Sequence, residues 1–361
     1  MARIVRQVQV CPLRWTPYPH LRVYNTIEYD IDMPTPIKSG VVLRERYKIR
    51  RIIGQGGMGC IYLADDLRLE GRLCAVKEVE HDNALPKEAL RQAREQFQRE
   101  ATVLARLDHP NLPKVSDFFS EGQRDYLVMD YVPGKDLRTL MNDERKNNEF
   151  LKEREVLGWA DQLANALSYM HHQDPSILHR DVKPSNLKLT PSGIIKLVDF
   201  GLVKILASDE LTITILQGRG TALYTPLEQY GGDSGHTDAR SDIYAFGATL
   251  YHLLTNQPPV EARELFLHPD SLVPPRQLNS RISPRTERAI LWAMSLHPDE
   301  RPQDIETFRQ ALLGNLNPVT QPRRLSPPPT LREMLSKPPE SILIFVVAGL
   351  FILGLLVTLI R

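Results

Sequence analysis

The period of the apolar positions changes several times along the chain. Residues 1–42 show no sustained period and read as an irregular N-terminal extension. From Arg44 onward short runs of β-branched and aromatic residues take over. Tyr47 to Ile53, Ile61 to Leu63, Leu73 to Val79 and Tyr126 to Val132 predict strands; the first ends in a glycine cluster and the last at Pro133-Gly134. Among them, Lys87 to Leu107 is rich in Ala, Glu, Gln, Arg and Leu, with Phe97, Glu100 and Leu104 at helical spacing. Beyond Pro133 the helical period dominates. Val156, Trp159, Leu163, Leu167 and Met170 form one stripe, which predicts a core-facing helix, and Asp242 to Leu254 predicts another. A short hairpin interrupts them, Leu187 to Leu189 and Ile194 to Val198 around Pro191-Ser192-Gly193. The pattern predicts an α+β chain of two lobes, a small β-rich lobe over about 43–130 and a larger helical lobe over 131–314, with a ligand cleft near their junction at Tyr131.

Two further stretches follow. Residues 315–340 carry Pro318, Pro322, Pro327, Pro328, Pro329, Pro338 and Pro339 and read as a semi-extended linker. Ser341 to Ile360 is SILIFVVAGLFILGLLVTLI, without one charge. A helix of about 20 such residues rises about 30 Å, the thickness of a bilayer's hydrocarbon core. A transmembrane helix over 341–360 is therefore expected. Arg323, Arg324, Arg332 and Lys337 precede it, which fits a cytoplasmic N-terminal side. No apolar run in the first forty residues is long enough for a secretory signal, and only Arg361 follows the span. The expectation is a single-pass protein of the cell membrane with its lobes in the cytoplasm.

Composition narrows the field without choosing within it. Lysine and arginine number 45 and aspartate and glutamate 44, a net charge of +1, so bulk positive charge gives no reason to expect a nucleic-acid partner. The 3 cysteines, Cys11, Cys60 and Cys74, are too few and too scattered for a disulfide framework or a four-ligand zinc site.

The chemistry lies in strings that the two-lobed pattern places near the cleft. Gly54-Gln55-Gly56-Gly57-Met58-Gly59 stands between two predicted strands, where glycines let backbone amides approach phosphate oxygens. Dinucleotide-binding folds use the same string but follow it with a helix; here Ile61-Tyr62-Leu63 follows. Lys77 sits inside an apolar strand and needs a partner, for which Glu100 on the next helix is the candidate. His179-Arg180-Asp181-Val182-Lys183-Pro184-Ser185-Asn186 precedes the hairpin and Asp199-Phe200-Gly201 follows it, so Asp181, Asn186 and Asp199 can converge. Asn186 and Asp199 offer hard oxygen ligands suited to magnesium, leaving Asp181 to accept a proton from an attacking hydroxyl.

These strings, in this order, resemble the protein-kinase signature set from about Tyr47 to Leu313. The wording Gly56-Gly57-Met58-Gly59 and Glu228-Gln229 is similar to bacterial, eukaryotic-like (Hanks-type) serine/threonine kinases. The resemblance implies the bilobal protein kinase fold and the transfer of the γ-phosphate of MgATP, or of ATP with manganese, to serine or threonine of protein substrates, the chain itself included. It implies that Ile53, Gly54, Gly56, Gly59, Ile61, Ala75, Met129, Asp130 and Val132 surround ATP, the backbones of Asp130 and Val132 bonding the adenine edge. Lys77 would hold the α- and β-phosphates with Glu100 fixing it, Asp181 would be the catalytic base, Lys183 would steady the transferring group, and Asn186 and Asp199 would hold the metal. Lys183 and Thr221 in Gly220-Thr221 fit serine/threonine specificity. Arg180 beside Asp181 implies control by phosphorylation in the loop from Asp199 to Glu228, with Thr212, Thr214 and Thr221 as acceptors and self-association as a route to modification in trans. Asp242 resembles the helix aspartate that braces the catalytic loop, and Glu228 and Arg301 a structural ion pair. Two positions depart from the family: Leu227 replaces the proline of A-P-E, and Lys188 stands where an apolar residue packs beneath adenine. On those departures rests the rival reading, a membrane-tethered pseudokinase scaffold.

Overall fold

The computed structural model describes residues 36–56, 59–80, 86–199, 222–230 and 237–314. Its first lobe is an antiparallel sheet of 6 strands: β1 (Val42–Leu43), β2 (Tyr47–Gly56), β3 (Gly59–Asp66), β4 (Leu73–Glu80), β5 (Val115–Glu121) and β6 (Arg124–Asp130), in the order β1-β2-β3-β4-β6-β5. Helix α1 (Lys87–Ala105) crosses its inner face and buries Phe97, Ala101 and Leu104, which lie on one helical stripe. The sheet's other face carries a separate cluster, in which Phe119 stacks on both Tyr47 and Tyr126 at centroid distances of 5.9 and 5.0 Å. β5 escaped sequence reading because Val-Ser-Asp-Phe-Phe-Ser-Glu lacks clean alternation; as the sheet's edge it leaves Ser116, Ser120 and Glu121 outside the core.

The second lobe begins with β7 (Lys135–Asp136), which pairs with β8 (Leu187–Leu189) and through it with β9 (Ile195–Leu197). Gly134 makes this junction possible. Its φ of +109° and the 2.0 Å that would separate an added Cβ from the Leu189 carbonyl both require glycine. Among the described residues the lobe's helices are α2 (Leu137–Lys146), α3 (Glu153–His171), α4 (Ala239–Thr255), α5 (Ala262–Leu267), α6 (Pro275–Leu278), α7 (Pro284–Ala293) and α8 (Ile305–Leu313). Of the expected α3 stripe, Val156, Leu163, Leu167 and Met170 are buried and Trp159 is half-buried against them.

Helix α4 is buried from Ser241 to Thr255 on all sides, so it is the axis around which the lobe packs. Asp238 caps its first turn and Asn256, at φ +57°, ends it. A helix buried all round must satisfy its polar side chains internally. One of them, His252, lies 2.6 Å from the Tyr224 hydroxyl. Burial first, then the charges of Arg138 and Arg145, press its pKa down to about 4. An imidazole whose folded pKa lies below its unfolded value near 6.5 supports the fold above about pH 6.5, and that support is lost as pH falls toward 4. Between pH 7 and pH 5 the stability should drop by roughly 2 kcal/mol from this residue. His109, also lowered by burial, adds in the same direction. Thermal melts of wild type and His252→Gln across this window should show a shallower pH slope in the variant.

Candidate active site

The loop from His179 to Asn186 is placed by one buried carboxylate. Asp242, in the first turn of α4, is fully buried. Its Oδ2 accepts hydrogen bonds from the His179 amide and from His171 Nε2, both at 2.9 Å, and its Oδ1 from the Arg180 amide at 2.8 Å. Burial opposes its charge, but the bond from His171 and the neighbouring amides outweigh burial and hold the carboxyl below the usual range. Clamped this way, Arg180 adopts φ +61° and the chain turns so that Asp181 faces the cleft. Val182, fully buried, and the bond from Thr249 Oγ1 to its carbonyl pin the other side of the turn.

Asp181 is engaged at one oxygen by two donors. Lys183 Nζ donates to its Oδ2 at 2.9 Å and Asn186 Nδ2 at 3.0 Å. The same Asn186 nitrogen also donates to the Asp181 carbonyl at 2.8 Å. The β8–β9 hairpin then returns the chain, and the Val198 amide bonds to the Asn186 carbonyl at 2.8 Å, which sets Asp199 beside Asn186. Asp199 lies at φ +63° just past β9, and its carboxylate pairs with the ammonium of Lys77, which reaches over from β4 in the first lobe. Lys77 and Asp199, 122 positions apart in sequence, therefore meet across the cleft.

The expected partner of Lys77 is displaced. Glu100 lies on α1, one turn beyond Phe97, but Oε1 accepts from Gln96 Nε2 at 2.7 Å and Oε2 has no partner among the described residues. Burial raises its carboxyl above the ordinary glutamate value, against weaker opposing influences from Gln96, Arg180 and Lys77. The pair Lys77–Glu100 is thus replaced by Lys77–Asp199. The physical reason is competition. Asp199 presents a partly solvated carboxylate whose charge costs little, whereas Glu100 is held by its own helix in a poorly solvated place.

Above the cleft, β2 and β3 form the glycine hairpin, with Gly56 paired to Gly59 and Gly54 to Ile61. Gly59 has φ +150°, and an added Cβ would lie 2.2 Å from the Glu78 carbonyl, so this glycine is fixed by strand packing as well as by any ligand. Ile53, Ile61, Ala75 and Met129 all belong to the inner-face cluster, and Ala75 and Met129 are direct cross-strand neighbours. They form an apolar ceiling. Val132 is buried at the junction. The Asp130 amide donates to the Lys114 carbonyl at 2.9 Å, and its carboxylate accepts from Arg72 at 3.2 Å. Only its carbonyl is left for an adenine edge. Lys188 is half-buried, opposite Asp136 on one side and Lys196 on the other.

Behind the substrate side, Arg301 is buried and pairs with Glu228 in a fork at 2.7 and 3.0 Å. Its remaining donors go to the carbonyls of Ser295, Arg240 and Leu296, so all five are used. Burial resists the charge of Glu228, but Arg301 and the Ser241 hydroxyl hold its carboxyl below the usual range. The segment carrying Thr212, Thr214 and Thr221, together with Phe200, Gly201, Gly57 and Met58, lies outside the described residues.

Sequence reading missed several positioning residues. Asn111 donates to the Ile195 carbonyl at 2.8 Å and accepts the Leu197 amide at 2.8 Å, so it fixes β9. His171 meets Asp242 from 71 positions away, and no local pattern announces it.

Comparison with known proteins agrees with this geometry. The protein kinase domain model matches residues 47–322. The chain belongs to the protein kinase domain family. It is 36% identical over 271 residues to a probable serine/threonine-protein kinase of Clostridium acetobutylicum, covering 73% of this chain and 39% of that protein. Against the serine/threonine-protein kinase PknB of Mycobacterium leprae it is 33% identical over 282 residues, 75% of this chain and 43% of that protein. The chain thus spans less than half the length of these curated relatives. Among solved structures, the kinase domain of Mycobacterium tuberculosis PknI matches at TM-score 0.59 and 29% identity, over 78% of this chain and 100% of that one. The apo form of PpkA-294 matches at TM-score 0.63 and 27% identity, over 76% and 99%.

If Asp242 positions the loop through its charge, Asp242→Asn exchanges an acceptor oxygen for a donor facing an amide. Phosphoryl transfer should then fall by at least about 100-fold, more steeply than nucleotide affinity, to which Lys77 and the apolar ceiling of the first lobe also contribute. Single-turnover kinetics together with nucleotide titration separate the two effects.

Proposed function

We propose that this chain transfers the γ-phosphate of ATP to serine or threonine hydroxyls of proteins. The observation that supports this most directly is the engagement of Asp181 Oδ2 by both Lys183 and Asn186, next to the Lys77–Asp199 contact across the cleft. In this reading the substrate hydroxyl docks at Asp181, which receives its proton as the hydroxyl oxygen bonds to the γ-phosphorus. The bond to the bridging oxygen breaks and ADP leaves. Lys183, already on the same carboxylate, stands where it can neutralise the transferring group. The donor set fits magnesium. Both hydrogens of the Asn186 amide go to Asp181, which leaves its Oδ1 as the coordinating atom, and the Asp199 carboxylate is 30% exposed. When bound there, magnesium would supply charge neutralisation for the phosphates.

The pseudokinase reading has less support, since Lys77, Asp181 and Asp199, the residues the transfer reading needs as lysine, base and metal ligand, are all present in the sequence. Leu227 sits in a single turn of 3-10 helix beside Glu228, and the Glu228–Arg301 fork that anchors this turn is intact. Modification of Thr212, Thr214 or Thr221, by the same molecule or another, belongs to this proposal. So does the anchoring of the chain through residues 341–360. Among the described residues no helix is long and apolar enough to cross a membrane, and 341–360 lies outside them. The support for the anchor is the uncharged run and the basic residues before it.

Full-length protein incubated with labelled MgATP and a generic protein substrate should incorporate label on serine and threonine. Asp181→Asn should reduce incorporation by about 1,000-fold or more with nucleotide binding retained. Binding without turnover in wild type would return the scaffold reading. For the anchor, alkaline carbonate washing of membranes should leave the protein in the pellet, and deletion of 341–360 should move it to the supernatant.

A further inference from the structure

In the second lobe, one cluster of donors has no acid to answer it. Arg138 and Arg145 lie seven positions apart on α2, which puts them on one side of the helix, beside buried Met141. Helix α2 packs against both Pro184–Asn186 and α4, so it stands between the loop that carries Asp181 and the later turns of α4. Both arginines are exposed, and neither forms an ion pair among the described residues. The acids around them are engaged elsewhere. Asp136 accepts from the Thr139 amide and hydroxyl, Asp143 pairs with Lys135 and Lys146, and Glu149 pairs with Arg281. Glu144 leaves α2 on a different side from either arginine.

The third donor is His252, one turn beyond Thr249 on α4. Burial and the charges of Arg138 and Arg145 keep its imidazole neutral at pH 7, and Arg138 also acts on Tyr224. A neutral imidazole accepts the Tyr224 hydroxyl at Nδ1, 2.6 Å away, and keeps Nε2–H as a donor, for which no described residue supplies an acceptor. The Tyr224 ring stacks on the imidazole at 6.1 Å, which ties the turn that ends at Tyr230 to the same place. Two guanidinium groups and one N–H around a single spot repel cations and match an anion.

Distance from the reacting group decides what carries that anion. Thr249 Oγ1 bonds the carbonyl of Val182, the residue after Asp181, at 3.3 Å. His252 lies about 4.5 Å further along the helix. An extended peptide advances about 3.3 Å per residue, so an acid two or three residues from a hydroxyl at Asp181 comes level with the cluster.

We propose that Arg138, Arg145 and His252 form a subsite for an acidic side chain of the protein substrate, two or three residues from the serine or threonine that is modified. The proposal rests on the phosphoryl-transfer reading and adds to it the charge of the substrate.

The test uses the full chain and serine peptides that are uncharged apart from one glutamate, placed in turn at each position from three before the serine to three after it. Each has a glutamine counterpart. At a position two or three residues from the serine, glutamate should raise kcat/KM at least about 10-fold over glutamine, mostly through KM. Arg138→Glu with Arg145→Glu should invert the order there, so that a lysine peptide outranks the glutamate peptide. Thermal melts of this variant should match wild type, because both side chains are exposed. A purely structural role for the arginines would slow all peptides alike and invert nothing. No advantage for glutamate at these positions, or an advantage that survives the double reversal, would overturn the proposal. Binding separates this outcome from a failure of the transfer reading. Fluorescent versions of the peptides with alanine in place of serine should show the same glutamate preference in anisotropy titrations, lost in the double variant. Equal binding of the glutamate and glutamine peptides would overturn the subsite, whereas a preserved preference without transfer would count against the transfer reading alone.

Discussion

A single carboxylate inside a helix buried on every side sets the direction in which Asp181 points. Asp242 cannot hydrate, so its charge is tolerable only because two consecutive backbone amides and an imidazole converge on it. The same requirement works in reverse on the loop. His179 and Arg180 can satisfy that charge together only if Arg180 takes a left-handed conformation, and this turns Asp181 outward. Helix α4 thus ties the loop from His179 to Asn186 to the lobe's core. Val182, fully buried, and the Thr249 hydroxyl add an apolar and a hydroxyl anchor.

The second buried charge pair solves a different problem. Arg301 has every N–H matched to an oxygen, with Tyr244 stacked beneath its guanidinium at 4.9 Å. A fully matched guanidinium is directional in a way that an ammonium is not, so it fixes Glu228 in orientation as well as distance. That explains how the turn at Leu227 keeps its place although the usual proline is missing. The ion pair holds the turn from behind, and backbone stiffness at Leu227 is a secondary constraint.

Much of this architecture could be read in the sequence, for identifiable reasons. The strands of the first lobe and the stripes of α1 and α3 are strongly periodic, and the order of the glycine string, Lys77, Asp181, Asn186 and Asp199 survives because each is locally marked. What could not be read shares another property: it depends on partners that local pattern does not encode. His171 serves Asp242, Asn111 serves β9, and the Asp130 amide goes to Lys114. The edge strand β5 was hidden because an edge need not alternate. The partner of Lys77 was misjudged for a deeper reason. Two carboxylates compete for one ammonium, and the outcome depends on solvation and backbone conformation, which residue order does not carry.

That competition has a consequence for how the cleft fills. Lys77 and Asp199 are the two groups a nucleotide's phosphates and their cation would each need, and here they neutralise one another. Any polyanion entering must separate them, so the observed affinity for it is the intrinsic affinity reduced by the fraction of molecules in which the pair is open.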